Sequence, residues 1–238
     1  MKKLVLILIT VACFYTCKEE SSLKFETNVV ALSEVSQVEI EYPVAEGNSE
    51  AAITINNTIS SYIVNSLNFE EGSVADVDVS AAVSKFDQEY TLFKRDFPES
   101  AAAWEASIEG EVLYTSPLIT TISISSYLYT GGAHGNDYIK LFNFNNANGE
   151  LLTPEEVLNI NSDFMKLAQS YFESEVMKKD ENIKDYFFGE NFKLPENMGL
   201  NERGMIMLYN KYEVASYAQG YTEFLIPFKE LEPYLKYQ

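Results

Sequence analysis

The stretch from Leu118 to Phe144 constrains this chain most, because two β-forming runs are joined by six residues that suit neither. Leu118, Ile122, Ile124 and Leu128 repeat on one side of the first run, with Tyr127 and Tyr129 opposite. Tyr138, Phe142 and Phe144 continue the alternation beyond the join, so each run should turn one face to a core. The join, Gly131-Gly132-Ala133-His134-Gly135-Asn136, holds three of the eleven glycines and the only histidine. Glycine enters the left-handed region without a Cβ penalty, so this segment can reverse the chain as a hairpin loop. The same loop can expose backbone N–H groups as a small anion-binding nest with His134 as a polar tip. The candidate ligand-binding residues are therefore Tyr127, Tyr129, Gly131, Gly132, His134 and Asn136, against the plainer reading of a hairpin loop alone.

Neighbouring segments extend the pattern. Trp104, Ala106, Ile108, Val112 and Tyr114 alternate with Glu105, Ser107, Glu109 and Glu111, giving a strand with one dry and one acidic face. With the two runs above it should form an antiparallel meander. One or two strands are expected over Ser21–Tyr42, with Pro43–Asn48 as punctuation. Helical spacing is expected over Glu50–Leu67 and, with an aromatic stripe through Phe86, Tyr90 and Phe93, over Asp78–Phe97. Asp78 or Ser80 can cap that second helix and Pro98 stops it. The Asn-rich segment Asn145–Glu150 lacks the acidic positions of a calcium loop and reads as a β-turn. Thr153-Pro154-Glu155-Glu156 is a capping box ahead of a short helix. A longer helix starts near Ser162 and ends at Lys178-Lys179-Asp180. Asn191–Met198 reads as loop, Met205–Tyr209 and Thr222–Ile226 as strands, and Phe228–Leu235 as a helical turn or two. Mixed strands and helices without βαβ alternation specify an α+β fold: largely antiparallel sheets with helices packed on one face, in two related modules.

Lys2 and Lys3 precede an apolar run from Leu4 to Ala12, and Cys17 follows. That order is a secretory signal too short to persist as a spanning helix, ending at a lipidated cysteine. Cys13 is the alternative acceptor. No cysteine follows Cys17, so the mature chain has no internal disulfide and relies on its core. The acidic CKEE resembles the short tag that sends some lipoproteins to the outer face of the outer membrane. The expected organisation is a signal peptide over 1–17, a linker over 18–23, and modules over 24–116 and 117–238.

With 36 acidic and 17 basic side chains the formal charge is −19. Nucleic acid and anionic lipid are disfavoured as partners, leaving the membrane reached only through the anchor, while a basic protein would be drawn in. A single histidine leaves no His-rich metal site or ordinary serine triad, and no cofactor motif is present. His134 with Asp137 could share a metal only if carboxylates from elsewhere joined them.

The run YTGGAHGN, the following strand with its Asn- and Gly-rich turn before LTPEEVL, and the closing YEVASYAQGYTEFLIPFKELEPYL carry a resemblance as a set. Together they resemble the extracytoplasmic region of the lysozyme-sensing anti-sigma-V factors, from about Lys24 onward. The same pair of modules, a domain of unknown function, is similar to the non-catalytic region ahead of the deacetylase domain in peptidoglycan deacetylase C. The resemblance implies a non-enzymatic envelope lipoprotein binding a protein, with a lysozyme-like one among the candidates, or cell-wall glycan at the cell surface or in the periplasm. The alternative is a hydrolase, or an accessory to one, acting on cell-wall glycan. The metal-binding Asp-His-His set of the deacetylase domain is missing from this sequence. The anti-sigma role itself is not implied, since a lipoprotein signal stands where the sensor would need a cytoplasmic segment and a spanning helix.

Overall fold

The computed structural model of the chain describes residues 23–33, 35–68, 78–100 and 102–237. The signal segment with Cys13 and Cys17 lies outside them. Five strands, β1 (Phe25–Ser33), β2 (Gln37–Ala45), β3 (Glu105–Thr115), β4 (Ile119–Tyr129) and β5 (Asn136–Asn145), form one sheet in chain order. All neighbours are antiparallel except β2 and β3, which run parallel. Parallel neighbours need a long crossover. Here it contains helices α1 (Glu50–Ser66) and α2 (Val79–Asp96), both laid on one face of the sheet.

The α2 stripe expected from the sequence is the heart of that layer. Asp78 accepts from the Ala81 N–H at 2.7 Å, starting the helix, and Phe86 is 1 % exposed. Trp104, just ahead of β3, packs against the Phe86, Tyr90 and Phe93 rings with centroids 5.4, 5.8 and 5.4 Å away. Ile55, Ile59 and Ile63 of α1 close the same core over Ile122, Ile124, Phe142 and Phe144.

After a short capped helix α3 (Pro154–Val157) and the long α4 (Ser162–Lys178), the strands β6 (Asn197–Asn201), β7 (Gly204–Tyr209) and β8 (Thr222–Pro227) make a second, antiparallel sheet. The chain closes through α5 (Phe228–Leu231) and a 3-10 turn. Phe164, Ala168, Phe172 and Val176 of α4 cover one face, against Met205, Met207, Tyr209, Phe224 and Ile226. The other face carries Ile206 and Leu208 against Leu141 of β5. The layers therefore run helix, sheet, sheet, helix, with each sheet taking helices on its outer face.

Two details make this stacking possible. A Cβ on Gly199 would stand 3.0 Å from Thr121 Cγ2 and 3.1 Å from Leu141 Cβ, so glycine lets the sheets approach here. The free edge of β5 is closed by side chains rather than by a strand. Asn210 accepts from the Ile139 N–H at 2.9 Å and donates to the Ile139 carbonyl at 2.9 Å, while Asn197 accepts from Leu141 N–H at 3.0 Å. An open strand edge is a pairing hazard, and these amides occupy it.

Two local expectations need correcting. Pro43 lies within β2 rather than after it. The β2–β3 pairing ends at Glu41 and Glu109, so the missing N–H of Pro43 breaks no bond to β3, and its ring sits where a Cβ on Gly110 would stand 2.7 Å from Cδ. Residues 197 and 198, read as loop, begin β6, because Asn197 and Gly199 serve the contact between sheets. The stretch between Ser116 and Pro117 lies in the turn between β3 and β4, which are paired within one sheet.

Candidate functional site

The glycine-rich loop joins β4 to β5 as a hairpin. Gly131 at φ +103° and Gly132 at φ +113° stand in open space, so the backbone conformation itself is what asks for glycine there. Tyr129 donates its hydroxyl to the Gly132 carbonyl at 3.1 Å, pinning the tip back on its own strand. At Gly135 the reason is contact: a Cβ would lie 2.3 Å from the Tyr127 ring. His134 Nδ1 lies 2.8 Å from the Gly135 carbonyl. A carbonyl only accepts, so Nδ1 is the protonated nitrogen of this ring.

The second module supplies the other half. Because Asn210 is clamped to Ile139, the residues just after β7 are held beside the start of β5. Lys211 Nζ donates to both Asp137 oxygens, at 2.7 and 2.6 Å, in a pair whose side chains are only 19 % and 25 % exposed. The same ammonium lies 4.6 Å from the Tyr217 ring centroid and 5.2 Å from that of Tyr221. Tyr217 in turn stacks on His134, with centroids 4.3 Å apart and planes 21° from parallel. Tyr212 stands 5.5 Å from Tyr217, exposed, at a left-handed φ of +67° that a tyrosine rarely adopts. Such backbone strain, about 1–3 kcal/mol, persists only where the surroundings hold it.

Burial alone would push the Asp137 carboxyl up, but hydrogen bonds from Lys211 and Tyr221 and the attraction of Lys211 carry it below the usual aspartate range. The partner responds in the opposite sense: the Asp137 hydrogen bond raises Lys211. Burial and then the Asp137 carboxylate raise the Tyr221 phenol. Near neutral pH the site thus holds the neutralised Asp137–Lys211 pair beneath aromatic faces, with the Glu105 carboxylate beside Tyr127 and Tyr129 at its border. That composition suits binding by stacking and hydrogen bonding. Among the described residues no group of three or more His, Cys, Asp or Glu is placed to hold a metal ion. Asp137, the one carboxylate weighed as a metal partner of His134, is engaged by Lys211.

Of the residues singled out in the sequence, Tyr127, Tyr129, Gly132 and His134 come together with this cluster. Gly131 shapes the loop without a contact of its own. Asn136 starts β5 and lines a small cavity that opens towards the helix-covered face and is bordered also by Tyr127. Lys211, Tyr212, Tyr217 and Tyr221 were not anticipated. The available signal was the density of tyrosines, four between 209 and 221.

Two family models match separate stretches of the chain. Residues 30–137 match the family model described as deacetylase PdaC, and residues 150–229 match the model described as a protein of unknown function, DUF3298. With the fold, these matches support a chain that pairs a PdaC domain with a DUF3298 domain. A solved DUF3298-family structure from Bacteroides fragilis aligns with a TM-score of 0.62 at 18 % identity, covering 90 % of this chain and 93 % of its own. Another, from Pseudomonas aeruginosa, aligns with a TM-score of 0.58 at 17 % identity over 90 % and 93 %. At these identities the likeness speaks for the fold. No curated protein matches the chain. The platform straddles the two matched regions: the loop closes the first, and Lys211 to Tyr221 lie in the second.

Proposed function

We propose that this protein is a non-enzymatic ligand-binding lipoprotein of the cell envelope that holds cell-wall glycan on the platform of Tyr127, Tyr129, His134, Tyr212 and Tyr217. The stack of His134 on Tyr217 carries this reading, because it merges rings from both matched regions into one surface. A sugar ring offers C–H faces to aromatic side chains and hydroxyls to neutral donors and acceptors. A platform whose one ion pair is already satisfied suits such a ligand better than a charged one.

The course of the strands supports the placement. Gln37 pairs with Glu105, and Glu105 with Tyr129, so this end of β2 lies beside the platform. Phe25 pairs with Ala45 at the other end of β2, eight residues along, which at a rise of about 3.3 Å per residue is about 26 Å away. In this reading a lipid on Cys17 would join the chain near the end of the sheet that lies away from the platform.

The test is sedimentation of the full chain with purified peptidoglycan sacculi. Retention that falls at least tenfold in Tyr217→Ala is expected; equal retention of the variant and the wild type would overturn the platform as the site. A second reading, a basic protein partner such as a lysozyme, rests on the charge of −19. It requires lysozyme to bind much tighter than an unrelated protein of similar positive charge at about 0.15 M salt, where the Debye length is about 8 Å.

A further inference from the structure

On the opposite face of the same sheet end, between the C-terminal turn of α1 and strands β4 and β5, lies a cavity of about 210 Å³. Its polar lining comes from Tyr62, Ser66, Ser126, Asn136 and Tyr138, with Tyr127 of the platform at its border. Leu67, Ile108 and Leu128 add an apolar floor. Among the described residues no carboxylate lines it. The hydroxyls are set by their surroundings: Ser66 Oγ donates to the Tyr62 carbonyl at 2.9 Å and Ser126 Oγ to the Tyr138 carbonyl at 3.2 Å. The Tyr62 ring is fixed edge-on against Phe142, centroids 5.1 Å apart.

Drug-sized ligands occupy about 300–1,000 Å³. This cavity is smaller, of the order of a single sugar ring. Neutral hydroxyls around an apolar floor match a ligand that is uncharged, rich in hydroxyls and carries one small apolar group. An N-acetylhexosamine meets all three conditions: its acetamido methyl suits the leucine and isoleucine floor, and its amide and hydroxyls suit Asn136 and the serines. We propose that this cavity is a subsite for one N-acetylhexosamine residue of a glycan that crosses the 130–136 loop from the platform. Asn136 begins β5 on the cavity side while His134, two residues earlier, stacks on the platform side, so the loop is the shared wall. This subsite rests on the glycan reading above.

The test titrates the full chain with the β-1,4-linked trisaccharide of N-acetylglucosamine and with the glucose trisaccharide that lacks the acetamido groups. The acetamido sugar is expected to bind at least tenfold tighter. Ser66→Phe, which fills the cavity from the helix end, should remove that preference, and Tyr62→Phe should reduce it several-fold while leaving the melting temperature near wild type. Tyr217→Ala should instead weaken both sugars together. An unchanged preference in both Ser66→Phe and Tyr62→Phe, or equal binding of the two trisaccharides by the wild type, overturns the subsite. If sacculi are retained by the wild type but the acetamido trisaccharide is not bound, the subsite falls and the platform reading stands.

Discussion

Asp137 and Lys211 show how single residues join the two halves of the molecule. The folded-state pKa of Asp137 lies below the ordinary value of about 3.9, so its contribution is fully present above that value and is lost as pH falls through the folded value. Lys211 is raised, so its share persists below about pH 10 and is lost as pH rises through its own folded pKa. Between about pH 6 and 9 the wild type should therefore exceed Asp137→Asn in stability by a constant margin, and thermal melts should show the two converging below about pH 4. A margin that does not change down to pH 2 would show that the pair adds nothing. At Gly135 the clash of an added Cβ is with the far end of the Tyr127 side chain, which can swing away. Gly135→Ala should leave the melting temperature within a few degrees of wild type while displacing Tyr127, seen as a changed tyrosine fluorescence or ring NMR signal.

Elements were the most legible level of this sequence where periodicity was long. The stripe through Val79, Ala82, Val83 and Phe86 is buried as its spacing requires, and Phe86→Ala should cost about 3–5 kcal/mol by chemical denaturation. Gln88→Ala, on the exposed face of the same helix, should cost less than about 0.5 kcal/mol. Equal losses would contradict the layer order. The capping box at Thr153 and Glu156 was also readable, since its residues act within one turn. What escaped was β6, whose sequence NMGLN has the composition of a loop. Its asparagine and glycine are explained only by what they face: Asn197 closes the β5 edge and Gly199 admits Thr121 and Leu141. No local pattern encodes a neighbour that arrives from 56 residues away. Asn210→Leu tests the same edge; leaving the Ile139 N–H and carbonyl without their partner should cost about 1–3 kcal/mol.

At the scale of the whole molecule, the hairpin that the sequence marked as special packs against residues far along the chain, through the stack of His134 on Tyr217. The loop residues were visible because three glycines and a lone histidine are unusual together. Lys211, Tyr217 and Tyr221 were not, because their relation to the loop is set by sheet stacking and by the Asn210 clamp. The proposed site joins the two matched regions, and their cooperation can be measured as a coupling. In a double-mutant cycle, sacculus affinity is determined for wild type, His134→Ala, Tyr217→Ala and the double variant, with circular dichroism confirming the fold of each. Since the two rings form one stacked surface, each single variant should lose about tenfold and the double variant little more than either. Losses that multiply to about a hundredfold, or single variants that bind as wild type, would contradict a binding site built jointly by the two modules.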